Sequence, residues 1–90
     1  AKSYLNLADS EIELKEPRSA LQLVEKGIAA IGELSDDVAE SHKVWAYKTG
    51  ARAAHELGRV SEVARYDGLA QEICSQRPTR EECGRTGTDP

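Results

Sequence analysis

With 90 residues and a formal net charge of −4, the chain has room for one small domain and no excess of cations for a nucleic-acid module held by phosphate neutralisation. It contains no Phe, one Trp and three Tyr, so the core must rest on aliphatic and small side chains that bury little area each. No stretch approaches the ~20 apolar residues of a membrane span and no signal-peptide pattern is visible, so a soluble, cytoplasmic chain is expected.

The sequence starts Ala-Lys-Ser already in a helical pattern, without Met, which suggests a fragment of a longer protein or a processed terminus. A first helix is predicted over about residues 2–14, with Tyr4, Leu5, Leu7, Ala8, Ile12 and Leu14 recurring at helical spacing. Pro17 opens a second helix to about residue 33, because a first-turn residue needs no N–H partner. Its inner side carries Ala20, Leu21, Leu23, Val24, Gly27, Ile28 and Ile31.

Ser35-Asp36-Asp37 marks the next start, with Ser35 as the expected cap and the two aspartates facing the positive helix end. A long third helix runs to about residue 57, where Gly58 stops it. The fourth begins near Val60 or Ser61 and carries Val63, Tyr66, Leu69, Ala70 and Ile73 along one stripe. From residue 76 to 90 the composition turns polar, which predicts a flexible tail. Cys74 and Cys83 could close a small loop as a disulfide, but free thiols in a reducing compartment are the expectation.

The pattern helix, tight turn, helix occurs twice, over about residues 2–33 and 36–75. Leu14-Lys15-Glu16-Pro17 has its counterpart 43 positions on, in Leu57-Gly58-Arg59-Val60. Small residues recur at comparable places: Ala8 and Ala51 midway along the first helices, Gly27 and Ala70 near the ends of the second. The fold class predicted is all-α, two antiparallel helix hairpins stacked as an α-α superhelix.

In its first unit the chain resembles a tetratricopeptide repeat. Tyr4, Leu7, Ala8, Ala20, Val24 and Gly27 stand where that family places its aromatic, apolar and small residues. Glu11 replaces the family's helix-A tyrosine, Lys15 the turn glycine, and Gly32 the closing proline. In the second unit Tyr47, Gly50, Ala51, Ala54, Leu57, Gly58, Val63 and Ala70 align, but Asp67 falls where a bulky apolar residue belongs. A one-residue slip would put Tyr66 there instead. The period exceeds the ~34 residues usual for the family and is similar to the longer variant of kinesin light chains and bacterial signalling repeats.

The resemblance implies a concave groove lined by the first helix of each hairpin. Its residues would be Lys2, Leu5, Asn6, Asp9 and Glu13, then Trp45, Lys48, Thr49, Arg52 and His55. Spacing alone also puts Trp45, Lys48, Arg52 and His55 on one face of the third helix. An aromatic flanked by cations would suit an acidic peptide. Alternatively Trp45 packs between helices while Lys48 and Arg52 are solvated. Asn6 matches one position of a carboxylate clamp known in the family, but the cations do not fall in its other positions, so that clamp is not expected.

Nothing in the sequence suggests catalysis, a cofactor or a metal. His42 and His55 lie more than three turns apart on one helix, and Asp36 and Asp37 lack the alternating ligands of a calcium loop. The expected function is a protein–protein interaction module that binds a peptide or helix, as part of a larger signalling or scaffold protein. Its partner would be another protein or a second copy, with no nucleic acid, membrane or small-molecule substrate. The alternative is a helical dimerisation or regulatory domain of a bacterial regulator.

Overall fold

The computed structural model of the chain describes residues 2–32 and 36–76, Lys2 by its helical backbone. Among these residues the protein is all-helical: α1 (Lys2–Glu13), α2 (Pro17–Ile31), α3 (Asp37–Glu56) and α4 (Val60–Gln76). The polar tail expected at the C-terminus lies outside the described residues from 77 onward, as does Ser35. No helix among the described residues is long and apolar enough to cross a membrane.

Local chemistry sets the helix ends. Pro17 occupies the first turn of α2, where its missing N–H is harmless. The cap of α3 corrects the expectation of Ser35: it is Asp36, whose Oδ1 accepts from the Ala39 N–H at 2.8 Å. Asp37 and Glu40 add negative charge to the same first turn, against the positive end of the helix dipole.

The two tight turns are the same object built twice. After α1, Leu14 N–H donates to Ser10 O (3.0 Å), Lys15 N–H to Ile12 O (3.0 Å) and Glu16 N–H to Glu11 O (2.8 Å). After α3, Leu57 donates to Ala53 (3.1 Å), Gly58 to His55 (3.1 Å) and Arg59 to Ala54 (2.9 Å). Every donor and every acceptor is displaced by 43 positions. The crossed pair of bonds in each turn satisfies carbonyls that the ending helix leaves open, the Schellman arrangement.

That arrangement needs a left-handed residue, and Lys15 (φ 64°) and Gly58 (φ 73°) supply it at matching places. Lys15 adopts this conformation at a cost of ~1–2 kcal/mol that glycine avoids, partly offset by the greater unfolded freedom of glycine. Lys15→Gly is therefore expected to stabilise the fold by about 0.5–1 kcal/mol in urea unfolding, while Gly58→Ala should destabilise it.

Each helix packs on the next, α1 on α2, α2 on α3 and α3 on α4, and α1 also reaches α3. No α-carbon of α1 or α2 comes within 8 Å of one in α4, so the backbones of the described helices pack in chain order, with α1 also on α3. The core runs through the middle of this series, from Leu5, Ala8 and Ile12 through Ala20, Leu21 and Val24 to Ala46, Ala51, Ala53 and Tyr66. Small residues bring α3 and α4 together: a Cβ on Gly50 would sit 3.0 Å from the Tyr66 ring. The four small residues noted in the sequence, Ala8, Gly27, Ala51 and Ala70, are all buried.

The register of α4 is resolved in favour of the slip. Tyr66 is 1 % exposed and stacks on Tyr47 with ring centroids 6.3 Å apart, whereas Asp67 is exposed. A carboxylate cannot enter this interior unpaired, so the helix turns to bury the phenol ring instead. Two expected inner residues of α1 are solvent-facing: Leu7 is 53 % exposed, and Tyr4 is exposed too.

Cys74 corrects the thiol expectation. It is half-buried near the end of α4 and disulfide-bonded. The sequence holds one other cysteine, Cys83, which lies outside the described residues.

Candidate functional site

The contact between α1 and α3 leaves a cleft of ≈ 660 Å³ lined by Asn6, Asp9, Ser41, His42, Trp45, Lys48, Thr49 and Arg52. Helical periodicity explains the composition of its α3 wall. At ~100° per residue, Lys48, Arg52, Thr49 and His42 all fall within about 60° of Trp45, so one face presents them together.

Asp9 is the hub. Its Oδ2 accepts from the Trp45 indole Nε1 at 2.9 Å, and its Oδ1 accepts from the Thr49 hydroxyl at 3.0 Å. Each carboxylate oxygen thus has a donor from the opposite helix, which ties α1 to α3 by polar bonds beside their apolar contact. Thr49 is 3 % exposed, so its hydroxyl needs this acceptor: a buried hydroxyl without one costs about 1–3 kcal/mol.

The indole is held on two further sides. Its apolar body packs against the central core, and the His42 ring meets it edge-on with centroids 6.1 Å apart at 61°. Trp45 therefore takes the alternative role read from the sequence. It packs between helices, and its half-exposed remainder forms a fixed wall of the cleft. Beside it Arg52 is exposed and Lys48 half-exposed, so the cleft carries two cations against one carboxylate that already has donors on both oxygens.

The structure brings together Asn6, Asp9, Trp45, Lys48, Thr49 and Arg52 from the sequence-derived set. Leu5 is a correction: it is fully buried in the core, its side chain 3.1 Å from where a Cβ on Gly27 would stand. The α1 helix turns Leu5 inward because Gly27 leaves room for it, and Asn6 and Asp9 take the cleft side. Glu13 is exposed on α1 and outside the lining, and the side chain of Lys2 lies outside the described residues.

His55 is exposed and also outside the lining, since it sits about 80° round α3 from Trp45 and beyond Arg52. Sequence reasoning missed Ser41 and His42. The signal was present, because His42 stands one turn before Trp45 on its own face. Among the described residues no group of three or more His, Cys, Asp or Glu side chains is placed to hold a metal ion.

No protein-family model matches the chain, and no curated protein or solved structure matches it significantly, so its likeness to tetratricopeptide repeats rests on its own residue pattern.

Proposed function

We propose that the chain is a protein–protein interaction module that holds an acidic peptide or helix of a partner in the cleft between α1 and α3. One observation carries this reading. The Asp9 carboxylate holds Trp45 and Thr49, which fixes an indole wall beside the exposed Arg52 in an open cleft that Lys48 also lines. Rigid aromatic area beside guanidinium and ammonium groups suits recognition of carboxylates. The role is binding rather than catalysis.

The same proposal includes the tetratricopeptide-like array: two long-period hairpins stacked as an α-α superhelix, within a larger signalling or scaffold protein. Its support is the turn repeated bond for bond at 43 positions and the packing of the helices in chain order. Against a cytoplasmic setting stands the disulfide of Cys74, the form that oxidising compartments maintain.

The sole tryptophan lies in the cleft, so its emission reports binding directly. Titration with a blocked glutamate-rich peptide is expected to change that emission, and Arg52→Glu should weaken binding about tenfold or more with the helical circular dichroism unchanged. An unchanged dissociation constant in Arg52→Glu would sink the assignment.

A second reading, self-association of a regulatory helical domain, is favoured by the exposed face of α1. Tyr4 and Leu7 are exposed there about 60° apart, with the exposed Leu14 in the turn that follows. It requires that sedimentation equilibrium find a dimer that Leu7→Lys dissociates; a monomer at all concentrations removes it.

A further inference from the structure

The cleft does not end at Trp45. His42 lines it and also lines a second recess between the end of α2 and the start of α3, walled by Ala30, Ile31 and Val38. Sharing that side chain, the two recesses adjoin along α3. The chemistry changes along its length. Lys48 and Arg52 stand at one end, while the other is aliphatic, with Val38 66 % exposed. Asp36 and Asp37, at the capped start of α3, border the aliphatic end, and no cation lines it.

We propose that the partner segment is bipartite: an extended stretch with carboxylates over Lys48 and Arg52 and an aliphatic side chain in the recess beside Ile31 and Val38. This rests on the cleft being a peptide groove and adds what the peptide must carry. From Val38 to Arg52 α3 rises about 21 Å at ~1.5 Å per residue. An extended chain covers that distance in about 6 residues at ~3.3 Å each. The aliphatic anchor and the carboxylates therefore stand about six positions apart.

The test uses Trp45 emission and blocked synthetic peptides with a leucine at one end, a Gly/Ser spacer and glutamates at the other, made in both chain directions. A control peptide replaces the leucine with serine. In one chain direction the leucine peptide is expected to bind about tenfold more tightly than its serine control, the scale of burying one aliphatic side chain. Val38→Ser, an exposed first-turn change checked by circular dichroism, should abolish that advantage and leave the serine peptide's affinity unchanged. Halving the spacer should abolish it too. Equal binding of leucine and serine peptides in both directions, or indifference to Val38→Ser, overturns the bipartite ligand while leaving the acidic groove standing. Failure of all the acidic peptides to bind overturns the groove itself and the inference with it.

Discussion

Tyr66→Ala is expected to remove about 3–5 kcal/mol of folding stability, enough to leave a domain of this size largely unfolded. Among the described residues Tyr66 is the largest fully buried side chain and the only α4 member of the core cluster. Its ring lies against Gly50 and Tyr47 of α3, and truncation would leave a void that neighbouring alanines cannot fill. Thermal unfolding followed by circular dichroism measures the loss. A drop below about 1 kcal/mol would mean that α4 contributes little to the cooperative unit.

Tyr66→Phe separates the ring from its hydroxyl. The phenol oxygen is buried and makes no well-formed hydrogen bond among the described residues, the adjacent Arg65 guanidinium lying over the ring 4.9 Å from its centroid, so burying it costs free energy that Phe does not incur. The variant should therefore be equal in stability or better by about 1 kcal/mol. It should also resist alkali. Burial raises the pKa of Tyr66 above 10.0, opposed by the neighbouring Arg65 guanidinium. Tyr47 is raised likewise, by burial first and by Glu72 second.

Folding thus favours the neutral phenols. Their contribution is complete below the unfolded value of 10.0 and is lost as pH rises through the folded values. Stability should fall with pH above about 10, more steeply in the parent than in Tyr66→Phe, with the Tyr47 share remaining in both. Identical alkaline slopes would contradict the burial of an ionisable phenol at position 66.

The second large effect belongs to Asp9. Asp9→Ala is expected to cost about 2 kcal/mol, since hydrogen bonds to a charged group contribute ~1.5–3 kcal/mol when buried and less in a half-exposed site. The loss should exceed that of an ordinary surface change because the Thr49 hydroxyl would stay buried without its acceptor. Trp45 emission should shift as the indole N–H loses its partner, and acidic-peptide affinity should fall although Asp9 carries the wrong charge to attract the ligand. That last outcome identifies a positioning residue, because simple removal of a repelling carboxylate would raise affinity. Asp9→Asn should fall between, retaining one acceptor oxygen for one of its two donors.

The extent to which the sequence was readable differs from feature to feature. Helix number and ends followed from local signals: Pro17, the Asp36-Asp37 start and Gly58 act through their own backbone chemistry, independent of what packs nearby. The duplicated turn was also legible, since Lys15 and Gly58 occupy equivalent places among equivalent neighbours. The common face of Trp45, Lys48 and Arg52 came from helical periodicity alone.

What periodicity leaves open is which arc of a helix meets a neighbour. Leu5 and Leu7 are alike in the sequence and differ by two residues, about 200° round α1. Only the room above Gly27 decides that Leu5 goes inside and Leu7 faces solvent. In α4 the same ambiguity between Tyr66 and Asp67 is settled by the absence of a side chain at Gly50, which admits a ring.

Asp9 is the clearest case. The resemblance placed it in the groove, but nothing in the sequence showed that its two donors would come from positions 45 and 49, on a different hairpin. The sequence by itself determined the helices, the turns that join them and the faces they present, because those depend on neighbours within a few residues. The tertiary structure decided which faces meet, and with them the Asp9 bridge and the cleft between α1 and α3, because a contact between distant residues depends on shape and room on both partners at once.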